Sequence, residues 1–193
     1  EERRKKLFPF LWDMVANKGQ LHGNRKYDNK MDNANPYWFS YPGYNEIFTG
    51  YPDTAVNSND KIWNKNENVL EVLNKQKGIA GKVAAFDETD DFAHAGMYDQ
   101  YIGSAHAQDA MMADLWNTIQ SIPQYKNSTT LLITCDHGRG DKVKDNWKHH
   151  GKDIEDAHEI WLAAMGSDIK PVGEMKEPAQ LYQKQLAATI GAL

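Results

Sequence analysis

Apolar residues recur at helical spacing in several segments of the chain. The longest pattern runs through residues 97–122, and shorter ones cover residues 3–17, 42–49, 69–73 and 181–193. This spacing places the apolar side chains on one face, which is typical of amphipathic helices packed on a core. Gly19 follows the first pattern and is expected to end that helix, because glycine is a poor helix former.

Short apolar runs lie between some of these helices and predict buried strands. They cover residues 83–86, 131–134 and 160–165. Strands separated by helix-length segments favour an α/β fold, in which a mostly parallel sheet carries helices on both faces. The asparagine-rich residues 23–36 and the polar residues 53–68 are predicted to be exposed loops.

Length and charge narrow the possible functions. The chain has 193 residues, and since a domain has about 150 residues, one domain is expected. Its 22 basic and 27 acidic residues give a net charge of -5, which argues against a nucleic-acid partner held by bulk positive charge. No apolar run approaches the length of about 18 residues that a membrane span needs, so none is expected. The composition fits an ordinary globular enzyme.

Potential metal ligands follow two of the predicted strands and precede a third. They are Asp90 and His94, Asp136 and His137, and the neighbouring His149 and His150. Because binding residues gather where the strands of an open parallel sheet end, these side chains are expected to lie together. Carboxylate and neutral imidazole are ordinary zinc ligands, so the pattern predicts a metal centre suited to hydrolysis. Taken singly, each group also fits a capping aspartate, a solvated turn or a surface histidine.

Ser40 is the candidate nucleophile. It stands two residues before Pro42, which suits the first turn of a helix, so its hydroxyl would lie near a helix N-terminus. A serine needs a metal, a base or a helix dipole to favour its alkoxide, and a helix N-terminus stabilises an anion. The same position also fits a helix cap, which is the commoner role for serine before proline.

Four segments stand in a distinctive order along the chain. They are residues 40–50 (SYPGYNEIFTG), residues 89–96 (TDDFAHAG), residues 134–138 (TCDHG) and the pair His150 and Gly151. In this order they resemble the nucleophile segment, the Asp-x-x-x-His motif, the Asp-His-Gly motif and the last histidine ligand of the alkaline phosphatase superfamily. The first segment looks most like the nucleotide pyrophosphatase/phosphodiesterase branch. Four motifs in order are far more specific than any one of them.

The resemblance implies an alkaline-phosphatase-like core with two divalent metal ions, expected to be zinc. One ion would be bound by Asp90, His94 and His150, and the other by Asp136, His137 and Ser40. Ser40 would attack a small-molecule phosphate mono- or diester and form a seryl-phosphate intermediate. An asparagine downstream of the nucleophile contacts the phosphoryl group in the phosphodiesterase branch, a role open to Asn57 or Asn59. By analogy with the family, the protein would be exported or periplasmic.

The chain also departs from the superfamily pattern. A strand ending in the first metal-binding aspartate is expected ahead of residues 3–17, and further elements are expected near residues 86–87. The chain is therefore predicted to be a single, partial α/β domain over residues 1–193. Two alternatives follow, a sulfatase-like hydrolase on the same scaffold and a catalytically impaired metal-binding fragment. Tyr44 stands where a sulfatase has arginine, which argues against the first alternative.

Overall fold

The computed structural model describes residues 2–76 and 90–193, and the chain divides into two compact units. The first unit comprises residues 1–30, 89–134 and 161–179, and the second comprises residues 31–88, 135–160 and 180–193. The strand predicted at residues 83–86 lies outside the described residues. No helix in the described part of the chain has the length and apolar character needed to cross a lipid bilayer.

Seven α-helices and six strands lie in the described residues. The helices are α1 (Glu2–Leu7), α2 (Ala16–Lys18), α3 (Ser40–Thr49), α4 (Val69–Asn74), α5 (Asp90–His94), α6 (Tyr98–Ser121) and α7 (Gln185–Ala192). The strands are β1 (Gly19–His22), β2 (Asn29–Asp32), β3 (Thr130–Thr134), β4 (Leu162–Gly166), β5 (Gly173–Glu174) and β6 (Ala179–Tyr182). A π-helix at Leu11–Val15 precedes α2, and short 3-10 helices lie at Arg25–Tyr27, Asn146–Lys148 and Glu155–His158.

Four strands form a mixed sheet in the first unit, in the order β3-β4-β1-β5. β4 runs antiparallel to both of its neighbours, with Ala163 opposite Leu21 on one side and Ile133 on the other, whereas β1 and β5 are parallel. The predicted α/β class is confirmed, but the prediction of a mostly parallel sheet is wrong for the described residues. A parallel return needs a crossover connection, usually an α-helix, and residues 135–160 between β3 and β4 contain only 3-10 helices.

The helix predicted over residues 3–17 is divided in the structure. α1 ends at Leu7, and Pro9 lacks the amide hydrogen that would continue the α-helical hydrogen bonds. A side chain from α6 compensates at this break, because Nδ1 of His106 donates to the Leu7 carbonyl oxygen at 2.7 Å. The π-helix and α2 then continue the chain to Gly19, where β1 begins.

Asp109 on α6 holds the other side of this break. Its side chain is 1% exposed, and its two oxygens accept from the amides of Phe10 at 2.7 Å and Leu11 at 2.9 Å. Without a carboxylate here, each buried amide would lack this partner, at a cost of about 1–3 kcal/mol for each group. The core of the unit consists of Phe10, Leu11, Val15, Ala16, Leu21, Ala163 and Met165.

A second, two-stranded sheet pairs β2 with β6. Neither strand was predicted, because β2 lies in the asparagine-rich segment taken for a loop and β6 occupies the start of the helix predicted over residues 181–193. These strands depend on their mutual pairing, which the bond from the amide of Gln183, just after β6, to the Asp32 carbonyl oxygen at 2.9 Å extends. The helices predicted over residues 42–49, 69–73 and 97–122 are confirmed as α3, α4 and α6.

Replacing Asp109 with asparagine is expected to lower the free energy of unfolding by about 1–3 kcal/mol. Asparagine has one acceptor oxygen where aspartate has two. Its NH2 group would therefore face the backbone N–H of either Phe10 or Leu11, which would lose its acceptor. Urea unfolding followed by circular dichroism measures the change. Asp114→Asn, at an exposed position on the same helix, is the matched control and should change stability by less than about 0.5 kcal/mol. Equal losses in the two variants would contradict the role given to Asp109.

Candidate functional site

Ser40 is the first residue of α3. Phe39 occupies the N-cap position, and no side-chain hydrogen bond caps this end of the helix, so Ser40 is not the cap. Its half-buried side chain places Oγ at 3.3 Å from Nε2 of His137. The hydroxyl therefore faces an imidazole at the positive end of a helix dipole, where developing negative charge is stabilised.

α3 approaches the segment that holds Asp136 closely because Gly43 has no side chain. A Cβ atom at Gly43 would lie only 2.4 Å from the backbone oxygen of Asp136. The same oxygen accepts from Asn33 Nδ2 at 2.8 Å and from Gln183 Nε2 at 3.0 Å. Two buried amide side chains thus fix the peptide that precedes His137, and the glycine allows the nucleophile helix to pack against it.

Asp136 and His137 lie in a loop beyond the end of β3, so their side chains are not forced to opposite faces as strand neighbours are. Oδ2 of Asp136 lies 3.5 Å from Nε2 of His137. The His137 side chain is almost fully buried, and its Nδ1 donates to the Gly138 carbonyl oxygen at 2.9 Å. Because a carbonyl oxygen only accepts, Nδ1 carries a proton, so the neutral form of this ring has its lone pair on Nε2.

His150 lies against His137, with ring centroids 3.8 Å apart and ring planes 19° from parallel. A ligand nitrogen of each ring lies within 4.8 Å of one on the other ring. Nδ1 of His150 donates to the Trp38 carbonyl oxygen at 3.0 Å, so its lone pair is also on Nε2. Burial lowers the pKa of His150. The bond to the Trp38 carbonyl opposes this shift and the positive charge of Arg139 adds to it, and the lowered pKa favours the neutral form that binds metals.

The structure separates the two neighbouring histidines. His149 is exposed, whereas His150 is half-buried. Gly151 has a φ of 100°, and a Cβ atom there would lie 2.7 Å from Cε1 of Phe39. The Phe39 ring in turn meets the His150 ring edge-on, at 5.7 Å between centroids. Gly151 is therefore needed for two reasons. It adopts the positive φ after His150, and it leaves room for the Phe39 ring that packs against His150.

Asp90 and His94 form a pair within the first unit. They are the first and last residues of α5, and Nε2 of His94 lies 3.0 Å from Oδ2 of Asp90. Their spacing of four residues places both side chains on one helix face, which suits two ligands of one ion. The other candidate ligands, Ser40, Asp136, His137 and His150, belong to the second unit.

A groove of about 450 Å³ opens beside Ser40. It is lined by Ser40, Tyr41, Tyr44, Asn59, Asp60, Lys61 and Ile62. Tyr41 holds one wall in place, since its amide donates to Asn59 Oδ1 at 2.9 Å and its hydroxyl donates to the Ile62 carbonyl oxygen. Asn59 is thus next to the nucleophile helix, whereas Asn57 is exposed and is not among the lining residues.

Glu46 is a central residue of the site that sequence reasoning missed. This α3 residue is 0% exposed. Its carboxylate accepts from the amides of Ala34 and Asn35 at 2.8 Å each, and from the Lys184 amide at 2.9 Å. A fourth donor is Nδ2 of Asn35, at 2.8 Å. One buried carboxylate therefore binds the chain ahead of Ser40 to the chain ahead of α7.

The prediction that residues 23–36 form an exposed loop is wrong for three of their asparagines. Their composition is typical of an exposed loop, but Asn29, Asn33 and Asn35 are only 1%, 6% and 2% exposed. Each side chain bonds to a backbone or side-chain group from another part of the chain or to a nearby turn. In the sequence, the one signal of this buried network is a glutamate, Glu46, within the predicted helix at residues 42–49. It does not identify the groups that the carboxylate binds.

No known protein family, curated protein or solved structure matches this chain. The resemblance to the alkaline phosphatase superfamily accordingly depends on the motifs alone. The donor set of the second unit is chemically suited to zinc, because both imidazoles carry their proton on Nδ1 and donate it to a backbone carbonyl. Such outer partners are usual for metal-bound histidines, where they fix the tautomer and the ring orientation.

Replacing Glu46 with glutamine is expected to lower the free energy of unfolding by about 1–3 kcal/mol. The new NH2 group would face backbone N–H donors in place of an oxygen that accepts from them. Amide hydrogen exchange should quicken at Asn35 and Lys184, which lose their acceptor. Glu177→Gln, at an exposed position, is the control and should leave both stability and these exchange rates unchanged. Unchanged exchange at Asn35 in Glu46→Gln would contradict the role of Glu46.

Proposed function

We propose that the protein is a metal-dependent hydrolase of phosphate mono- or diesters with Ser40 as its nucleophile. The observation that carries the proposal is the position of Ser40 Oγ, 3.3 Å from His137 Nε2, with the His150 ring stacked on His137. A hydroxyl, an aspartate and two imidazoles with their lone pairs on Nε2 are thus gathered near the N-terminus of α3. That combination supports the zinc-dependent phosphatase or phosphodiesterase activity that the motifs imply.

The proposed ligands of one ion are Asp136, His137 and Ser40, and those of a second are Asp90, His94 and His150, as the resemblance implies. When bound, zinc would lower the pKa of a coordinated hydroxyl or water and stabilise negative charge on the phosphoryl oxygens.

Arg139 adds a further positive charge. Burial lowers its pKa to about 10, so its guanidinium remains protonated at neutral pH and favours an anionic substrate.

Ser40 would act by nucleophilic displacement at phosphorus. The Oγ proton is released to water, the Oγ–P bond forms, and the P–O bond to the ester alcohol breaks as that alcohol takes up a proton. Water then cleaves the Oγ–P bond, which regenerates Ser40 and releases phosphate or a phosphate monoester. The N-terminal dipole of α3 favours the anionic form of Oγ in both steps.

The groove beside Ser40 would hold the ester group of the substrate. Tyr41, Tyr44 and Ile62 are its large apolar lining residues, and Ile62 is 66% exposed. Lys61 supplies a cation at the same wall. Aromatic rings favour flat or apolar groups, so aryl phosphate esters are expected to be better substrates than methyl esters.

A second candidate function is hydrolysis by a serine–histidine pair without metal. It is favoured by the same 3.3 Å approach of Ser40 to His137, because a neutral imidazole with its lone pair on Nε2 can accept a serine proton. The two candidates differ in their need for zinc. Chelation abolishes turnover in the first and leaves it intact in the second.

Ser40→Ala is expected to reduce kcat for p-nitrophenyl phosphate and bis-p-nitrophenyl phosphate by at least about 10³-fold, because the variant has no nucleophile.

His137→Ala should lose both turnover and zinc affinity. Asp90→Asn combined with His94→Asn should lower the number of bound zinc ions per chain from two to one in calorimetry. Ser121→Ala, at an exposed helix end, is the matched control and should retain full activity.

Two results would contradict the proposal of a metal-dependent hydrolase. The first is turnover that survives removal of zinc by a chelator, which would favour the serine–histidine pair. The second is full activity in Ser40→Ala. Faster hydrolysis of sulfate esters than of phosphate esters would favour the sulfatase-like alternative, and zinc binding without any turnover would favour the metal-binding fragment.

Ile62→Ser is expected to raise KM for an aryl phosphate ester roughly fivefold, which corresponds to the loss of about 1 kcal/mol of apolar contact. The kcat should change little, because the Ile62 side chain has no group that takes part in the reaction. Methyl phosphate, whose small ester group offers little apolar surface to Ile62, should show an unchanged KM. Val172→Ser, at an exposed position in the first unit, serves as the control. Equal KM changes for the aryl and methyl esters would show that the groove does not hold the ester group.

A further inference from the structure

Trp38 has an unusual backbone conformation two residues before Ser40. Its φ is 51°, in the left-handed region that glycine adopts readily and bulky residues avoid. In the described chain, the other non-glycine residues with positive φ are Asp28 and Asn127, whose short polar side chains tolerate it. A tryptophan in this conformation must be held by its surroundings.

Two sets of contacts hold the turn at Trp38. Asn35 Oδ1 accepts from the amides of Tyr37 at 3.0 Å and Trp38 at 3.1 Å. Asn35 is itself bound to the buried Glu46 carboxylate through its amide and its side chain. On the other side, the indole ring of Trp38 lies against the His158 ring, with 5.1 Å between centroids and 48° between planes.

The carbonyl of Trp38 is the acceptor for His150 Nδ1, at 3.0 Å. Because a carbonyl cannot donate, this bond requires the proton on Nδ1 and opposes the neutral tautomer that carries it on Nε2. The lone pair is then on Nε2, the nitrogen through which the ring would bind a metal. The tautomer of His150 thus depends on where the Trp38 carbonyl points, and that direction depends on the backbone angles of Trp38.

We infer that Trp38 is a positioning residue for His150. Its left-handed backbone, held by Asn35, presents the carbonyl that fixes the tautomer and the orientation of the imidazole for ligand binding. The inference rests on the proposed function in one respect, namely that the ion which His150 binds is zinc. Trp38 acts only through His150, as the outer partners of metal-bound histidines do.

Two substitutions at Trp38 separate the backbone conformation from the indole ring. Trp38→Gly and Trp38→Val both remove the ring and its contact with His158. Glycine adopts a positive φ freely, whereas valine, with its branched Cβ, strongly resists it. An effect of losing the ring is therefore common to both variants, and a difference between them reports the backbone conformation.

The 15N chemical shifts of His150 in the metal-free chain, at about pH 8 where imidazole is neutral, report its tautomer directly. The wild-type chain and Trp38→Gly are expected to carry the proton on Nδ1, whereas Trp38→Val should show a mixture of tautomers. Zinc affinity measured by calorimetry should be about tenfold or more lower in Trp38→Val than in Trp38→Gly. Circular dichroism checks that each variant folds. If Trp38→Val does not fold, Trp38→Ala replaces it, because a single methyl group is less strained at positive φ.

Equal tautomer populations in the glycine variant and the valine or alanine variant would overturn the inference, since the backbone conformation would then have no influence on His150. The tautomer measurement needs neither metal nor turnover, so its result is independent of the proposed function. If the tautomers differ as expected and the chain binds no zinc, the proposed function fails and the positioning role of Trp38 stands.

Discussion

The candidate site of the second unit depends on one buried carboxylate, that of Glu46. Removing a charged group from water is costly unless it is fully hydrogen-bonded, and Glu46 meets this condition with N–H donors from Ala34, Asn35 and Lys184. Because these donors come from two distant parts of the chain, the carboxylate joins those parts through directional hydrogen bonds. The Asn35 turn then leads to Trp38 and His150, and the residue before Lys184 is Gln183, which binds the Asp136 carbonyl oxygen.

The two imidazoles of the site are oriented by the same device. Each donates Nδ1–H to a backbone carbonyl, that of Gly138 for His137 and that of Trp38 for His150. Backbone acceptors are well suited to this task, because they are held by the fold and do not titrate. The close stacking of the rings would be unfavourable if both were charged, and burial of His150 disfavours its charged form by lowering its pKa.

The sequence indicated which candidate groups belong to this region but not the residues that hold them in place. Ser40, Asp136, His137 and His150 carry functional groups with few alternative uses in such an order, and they lie together in the second unit. The supporting residues were not predicted, because amide and carboxylate side chains are equally common in solvated loops. They are Asn33, Asn35, Glu46 and Gln183. What distinguishes them is the set of backbone groups they bind, and those partners are up to 150 residues away in the chain, as from Asn33 to Gln183.

The sequence by itself determined the strongly periodic elements and the candidate groups. The helices α3, α4 and α6 and the strand β3 follow from local sequence, since apolar side chains at that spacing lie on one helix face or in one strand-length run. Only the tertiary structure decided the strand directions of the mixed sheet, the pairing of β2 with β6 and the left-handed turn at Trp38. The reason is that strand pairing depends on partners far away in sequence, and the turn at Trp38 depends on Asn35, which Glu46 holds, and on the distant His158 ring. No local pattern of residues records which of these contacts will form.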